Sequence, residues 1–242
     1  MLKVDLHLHS SEDPLDVIPH NADALIDRAA ELGYDALAIT LHDCQLSRRR
    51  VFDHARDVGI TLVPGVERTV RGRHVLLLNF PALAIEGVRT FADLASLKER
   101  WPAGIVIAPH PFFPDATCLR STLERHRDLF DAVEWTYFWT IGLNFNARAR
   151  AWAIAHGKPM VGNSDLHDLR QLGRTYSLVS AERHPEAICA AIRDGHVELR
   201  TSPVPLVELV QVVGGMFRRG KKKGSPRRQR MLISSASDSS TP

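Results

Sequence analysis

Short apolar runs alternating with amphipathic, glycine-terminated stretches constrain the fold of this chain more than any other feature. Residues 3–8, 36–40, 61–66, 74–80, 105–108, 132–135, 160–163, 176–179 and 197–200 read as strands. Between them, Asn21 stands where a helix N-cap is expected, Leu25, Ile26, Ala29 and Leu32 recur at helical spacing, and Gly33 supplies a left-handed stop. Ser121 and Glu124 form a capping-box pair, and residues 147–156 and 185–194 run up to Gly157 and Gly195. Strands separated by helices predict parallel pairing through crossover helices, and their number suits an α/β fold of TIM-like barrel type better than an open sheet. Neither a dinucleotide-binding GxGxxG nor a phosphate-cradling GxxxxGK[ST] occurs, which removes the commonest reason for an open sheet.

Charge is distributed unevenly. The 31 Lys and Arg against 28 Asp and Glu give +3, but eight of the basic residues and one acid fall in residues 218–242, leaving 23 basic and 27 acidic residues, a net −4, in residues 1–217. A basic whole-chain charge is therefore no argument that the folded part binds nucleic acid. Residues 1–202 are expected to form the barrel domain. Residues 203–217 are expected to be an apolar segment packing on or leaving it, and residues 218–242 a disordered, basic and Ser-rich tail. The tail is either a solvated end or a contact for anionic lipid or RNA. No stretch suits a transmembrane helix, and His7 and His9 occupy the place of a leader's apolar core. Cys44, Cys118 and Cys189 are odd in number and unpatterned, so a reducing, cytoplasmic setting is expected.

Asp5, His7 and His9 alternate with Val4, Leu6 and Leu8, so on a strand the polar side chains share a face, inward in a barrel. With 12 histidines in the chain, chance supplies about 0.6 His-x-His pairs, so the pair alone carries little. Its position at the carboxyl end of a strand, where barrel enzymes place their chemistry, carries more. The placement recurs: His42, Glu67 and His110 follow strand runs, Asp165 and His167 follow residues 160–163 with the spacing of His7 and His9, and His74 opens the run after Glu67. A lone His or Glu is usually a surface residue or a hydrogen-bonded core residue. Several converging on one barrel mouth are costly to desolvate, a cost that divalent cations offset.

The motifs Asp5-Leu6-His7-Leu8-His9-Ser10, Ala38-Ile39-Thr40-Leu41-His42-Asp43, Pro64-Gly65-Val66-Glu67, His74-Val75-Leu76-Leu77, Ala108-Pro109-His110-Pro111 and Gly162-Asn163-Ser164-Asp165-Leu166-His167 occur in this order. Over about residues 3–199 the chain resembles the PHP family, named for polymerase and histidinol phosphatase. The resemblance implies a distorted TIM-like (β/α)7 barrel with two to three divalent ions. It implies one ion on His7, His9, Glu67 and Asp165, a second on Glu67, His74 and His110, and a third on His42 and His167 with either Asp13 or Asp16. Leu41 departs from the family pattern, which has Asp before the motif His; here Asp43 follows it. Mixed imidazole and carboxylate ligation suits Zn, Mn or Fe more than Mg or Ca. The implied reaction is phosphate-ester hydrolysis by a metal-activated hydroxide, with His42, His167 and Asp165 as catalytic groups.

Arg68, Arg170 and Arg174 lie close in sequence to these motifs and are candidates for binding substrate phosphate, against the alternative of solvated surface arginines. Asp5 either orients a ligating imidazole or holds backbone. Cys44 is expected to be a small core residue, and Trp135, Tyr137, Phe138 and Trp139 either wall a base- or sugar-binding pocket or pack in the core. The expected activity is that of a metal-dependent phosphoesterase on a small phosphomonoester or nucleotide. One alternative is 5′–3′ exonuclease action on short oligonucleotides. Another, of a different class, is a catalytically silent PHP-fold binding or regulatory domain, for which Leu41 speaks.

Overall fold

Asn21 caps the first helix as its sequence predicts, its side chain accepting from Ala24 N at 2.9 Å. The computed structural model describes residues 1–220 and Lys222. From the N-terminus the elements are β1 (Leu2–Leu8), α1 (Ala22–Glu31), β2 (Ala36–Ile39), α2 (Arg49–Asp57), β3 (Thr61–Leu62), β4 (Gly65–Val70) and β5 (Arg73–Leu78). Next come α3 (Ala82–Glu86), α4 (Phe91–Arg100), β6 (Ile105–Ala108), α5 (Ser121–Arg125), β7 (Ala132–Thr136), α6 (Asn146–Ala155) and β8 (Met160–Asn163). β9 (Thr175–Val179), α7 (Pro185–Arg193), β10 (Val197–Thr201) and α8 (Leu206–Arg219) follow among the described residues. The expected Ser121 cap does not form: the residue before α5 is Arg120, which makes no side-chain cap, while Thr90 and Asp93 form a capping box on α4.

The fold is mixed α/β, with two five-stranded sheets in the orders β10-β9-β1-β2-β3 and β4-β5-β6-β7-β8; among the described residues the ladders do not close into one barrel. Nor is the pairing all parallel. β1/β9, β9/β10, β4/β5 and β5/β6 are antiparallel. Residues 61–66, expected to be one strand, divide at Val63-Pro64, where proline removes a ladder donor, and the chain passes from one sheet to the other. β4 then turns directly into β5 through Arg71-Gly72, with φ of +50° and +73°, a two-residue hairpin that leaves no room for a crossover helix.

The sheets meet along two seams sealed by polar contacts. At one, Asn163 Oδ1 accepts from Leu6 N at 2.9 Å, and Ser177 Oγ accepts from Gly162 N at 2.8 Å and donates to Gly162 O at 3.1 Å. Glycine is required there, because a Cβ at 162 would lie 2.5 Å from Leu199 Cδ1 and 2.6 Å from Tyr176 O. At the other, Glu67 N donates to Leu41 O and Asp43 N donates to Glu67 O. Val4, Leu6, Ala36, Ala38, Leu76, Ile107 and Val161 form an interior cluster with Ile188 and Ile192 of α7, while α1 covers Leu8, Leu37 and Ile39 from outside.

The alternation expected in β1 fails at one point. Val4 and Leu6 join the interior cluster, but Leu8 joins the one under α1, because the register against β2 shifts between Asp5, opposite Leu37, and Leu8, opposite Ile39. One extra residue in β1 is a bulge. It gives Asp5 surroundings different from those of His7 and His9.

Candidate metal centre

Every candidate ligand arrives at the same mouth. His7 and His9 come from the end of β1, His42 follows β2, Glu67 lies within β4, His74 is the second residue of β5, His110 follows β6, and Asp165 and His167 follow β8. His110 and Asp165 carry φ of +29° and +48°, positions a non-glycine residue occupies at a cost and that concentrate at functional sites.

Glu67 is the hub. Its Oε1 lies 2.6 Å from His74 Nδ1 and 3.1 Å from His110 Nε2, and its Oε2 lies 3.4 Å from both His7 Nε2 and His9 Nε2 and 3.1 Å from His42 Nε2. Asp165 Oδ1 is 3.5 and 3.6 Å from the same two Nε2 atoms of His7 and His9. Donor atoms of His7-Glu67-His110, of His7-His9-Asp165, of His9-Asp13-His42 and of His42-Glu67-His74 each lie within 4.8 Å of one another. The two aspartates take different places: Asp13 Oδ2 reaches His9 Nδ1 at 3.0 Å and His42 Nδ1 at 2.9 Å, whereas Asp16 Oδ2 lies 3.3 Å from His167 Nε2.

These residues fit divalent cations on an observation independent of any relative. His7 Nε2 and His9 Nε2 are buried without a hydrogen-bond partner, an arrangement that is costly unless something else meets the nitrogens. Burial disfavours the charged form of His7, but the carboxylates of Glu134, Asp165 and Glu67 outweigh it and hold its pKa well above the usual value. Burial likewise opposes the charge on Glu67, and the imidazoles of His74, His7 and His42 more than compensate, holding it well below the carboxylate range. Asp13 and Asp165 are lowered in the same way.

Glu134 escaped the sequence analysis. On β7 and fully buried, it accepts through Oε1 from His7 Nδ1 at 2.8 Å and Asn163 Nδ2 at 2.9 Å, and through Oε2 from His110 N at 2.7 Å. A proton kept on His7 Nδ1 leaves the Nε2 lone pair facing the cluster. The available signal was a carboxylate inside the otherwise apolar run of β7. Asp5 does not orient an imidazole: its carboxylate accepts from Ser164 N at 3.1 and 3.2 Å, and burial pushes its pKa up to about 7.

None of the three arginines taken from the sequence reaches the cluster. Arg68 is buried, donating Nε to Val88 O at 2.9 Å and Nη2 to Glu86 O at 3.2 Å. Arg170 is exposed and bound to Asp168, and Arg174 pairs with Glu208 of α8 at 2.9 Å. Cys44 is half-buried and donates only to Gln45 O. Of the aromatic run, Trp135 and Tyr137 are buried, Trp139 Nε1 donates to Thr201 Oγ1, and Phe138 lines the cleft above the cluster. That cleft, of about 640 Å³, is also walled by Val213, Met216, Phe217 and Arg219 of α8. The helix continues through Arg218 and Arg219, beyond the expected end of the apolar segment at Phe217; the rest of the expected tail, Lys222 apart, lies outside the described residues, and with it the lipid or RNA contact. Among the described residues no helix is long and apolar enough to cross a membrane.

Comparison with known proteins agrees with the residues. The fold is similar to those of solved PHP-like proteins. It resembles a two-domain Bacteroides vulgatus protein containing a predicted PHP-like metal-dependent phosphoesterase (TM-score 0.61, 21% identity, 89% of this chain and 69% of that one). It also resembles PsfC from Pseudomonas syringae (0.59, 18%, 90% and 97%) and the lesion-specific endonuclease Q of Pyrococcus furiosus (0.55, 18%, 99% and 72%). The PHP_C family model, described as PHP-associated, matches residues 144–197. Among curated relatives, a PolC-type DNA polymerase III of Caldanaerobacter subterraneus is 37% identical over 65 residues, 27% of this chain. An error-prone DNA polymerase of Rhodopirellula baltica is 31% identical over 124 residues, 44% of this chain. The matched segments span 5% and 11% of those polymerases. Sequence and fold together bear out the resemblance to the PHP family.

Proposed function

We propose that the chain is a metal-dependent phosphoesterase that hydrolyses a small phosphomonoester or nucleotide in the cleft above Glu67. The observation that carries this reading is the set of four ligand groups that overlap at His7, His9, His42 and Glu67, with unpartnered imidazole nitrogens turned inward. His7, His9, Glu67 and Asp165 would hold one ion, and Glu67, His74 and His110 a second. Asp13 already bridges His9 and His42 through their Nδ1 atoms, so Asp16 is the carboxylate assigned to a third site with His42 and His167. When bound, such ions lower the pKa of water, orient a phosphate and neutralise charge developing on its oxygens.

The chain's own groups do the rest. Glu134 and Asp13 fix the rings of His7, His9 and His42, so the donor set is oriented before substrate arrives. His167 lines the cleft, and in the metal-free protein Asp16 and Asp165 raise its pKa against the opposing effect of burial; it would serve as a ligand of the third ion or, with that site empty, donate a proton to the leaving oxygen. The test is elemental analysis of natively purified protein, followed by turnover of p-nitrophenyl phosphate and a nucleotide panel with Mn or Zn. Activity abolished by chelation and by His9→Ala is expected. Stoichiometric metal with no turnover of any ester would count against the phosphoesterase reading, and protein that carries no metal would favour a silent binding domain. The likeness to endonuclease Q in fold supports a nuclease as the second reading, and a product time course on end-labelled oligonucleotides separates the two.

A further inference from the structure

We propose that Arg219, in the last turn of α8, is the cation that receives the substrate phosphate, and that α8 selects esters whose other end is a flat aromatic or heterocyclic ring. This rests on the phosphoesterase reading and narrows its substrate class. Asp16, Glu67 and Asp165 line the cleft, so a phosphate entering it needs a fixed positive partner besides any bound ions. Among the described residues Arg219 is the one Lys or Arg in the lining. Its guanidinium is underused: Nη2 donates to His167 O at 3.2 Å, Nη1 stands 3.8 Å from Asp168 Oδ2, and Nε is buried with no hydrogen-bond partner among the described residues. The contact with His167 O brings the group beside a residue of the cluster itself.

The rest of α8 gives the opposite chemistry. Val213, Met216 and Phe217 make an apolar wall, joined by Phe138 and Phe113 from other parts of the lining, and Phe217 is 83% exposed. Exposed aromatic surface beside a polar floor of imidazoles and carboxylates that would hold cations matches a ligand with a phosphate at one end and a ring at the other. The helix is pinned where this requires it. Glu208, in its first turn, accepts from Tyr137 Oη at 2.6 Å and from Arg174 Nη2 at 2.9 Å, and beyond its end Lys222 Nζ donates to Ser11 O at 2.8 Å and Asp13 O at 2.6 Å.

The test uses the full chain, metal-loaded, with Arg219→Met, Arg219→Lys and Phe217→Ser. Binding of inorganic phosphate is measured by calorimetry, and turnover is measured on p-nitrophenyl phosphate against glycerol 3-phosphate. Arg219→Met is expected to weaken phosphate binding by about tenfold or more at unchanged metal content, with Arg219→Lys recovering part of the loss. Phe217→Ser is expected to lower kcat/KM on the aryl ester several-fold more than on the glycerol ester. Phosphate binding by Arg219→Met within twofold of the parent, or a parent that binds no phosphate at millimolar concentration, overturns the Arg219 assignment. Equal losses on both esters in Phe217→Ser overturn the ring preference. A parent that binds phosphate but cleaves neither ester sinks the hydrolase reading alone, because phosphate affinity still decides the role of Arg219.

Discussion

Glu134→Gln changes one atom and tests whether the cluster is held in place from behind. The carboxylate accepts three bonds, from His7 Nδ1 and Asn163 Nδ2 on one oxygen and from His110 N on the other. A glutamine presents one acceptor and one NH2 group, so in either orientation a donor meets a donor. With the amide NH2 toward His110, one backbone N–H is stranded; with it toward His7, Asn163 Nδ2 loses its acceptor and the imidazole keeps its contact only as the tautomer that protonates Nε2. Stranding one buried donor costs about 1–3 kcal/mol. At 2 kcal/mol that is a fall of roughly 4–8 °C in Tm for a chain of this size. Both orientations disturb a candidate ligand, His110 or His7, so metal affinity should drop by about 10- to 100-fold. Competition against a chromophoric chelator at fixed pH reads the affinity, and melting of the chelated protein reads the stability. A variant that binds metal within twofold of the parent and melts at the same temperature would refute the positioning role.

Gly162→Ala should destabilise the fold by about 1–3 kcal/mol, measured by urea titration, because the new Cβ meets Leu199 and the Tyr176 carbonyl at the seam; a variant of parental stability would show that the seam can open. In the metal-free protein His7, His9, His42, His110 and His167 are all raised, so their contribution is full below their unfolded pKa of about 6.5 and is lost as pH climbs through the folded values. Asp13, Asp16, Glu67 and Asp165 are lowered, so theirs is full above about pH 4.5 and is lost on acidification. Metal-free stability should therefore peak toward the acid end of about pH 4.5–6.5, because Asp5, raised to about 7 by burial, subtracts progressively across that window and has lost its contribution by its upper side; melting curves across pH 4–9 that rise steadily would contradict this. Metal displaces those imidazole protons, so calorimetry in buffers of differing ionisation enthalpy should show proton release and an apparent affinity that increases with pH. Chelation of the loaded protein should lower its Tm, and a Tm unmoved by chelator would mean that the cluster holds no metal.

The candidate ligands were legible because each belongs to a short local pattern. His7 and His9 end one strand, and Asp165 and His167 follow another, so position along the element was enough to gather them. The arginines misled for the converse reason. Arg68 adjoins Glu67 in sequence, but neighbours on a strand point to opposite faces, and Arg68 is turned toward the Val88 and Glu86 carbonyls. Arg174 serves the site only indirectly, by tethering Glu208 and so α8. Glu134 could not be assigned because its partners His7 and His110 lie 127 and 24 residues away, and nothing local says which backbone donor a buried carboxylate will meet.

Departures from ideal alternation account for what the expected barrel missed, and they coincide with the site. The bulge in β1 separates His7 and His9 from the face that strict alternation assigns to Asp5. The break at Pro64 moves the chain between sheets, so that Glu67 enters on a hairpin with His74 on the neighbouring strand, within 2.6 Å of its carboxylate. Where β8 meets β1 and β9, side chains replace the ladder, and the chain leaves that seam straight into Asp165 and His167. A fully closed parallel ladder would satisfy its backbone internally and point alternate side chains along fixed rows. Interrupting it beside the cluster frees backbone and side-chain geometry at the places where imidazoles and carboxylates must converge. The irregularities that hide the topology from a periodicity argument are therefore the same ones that assemble the candidate metal centre.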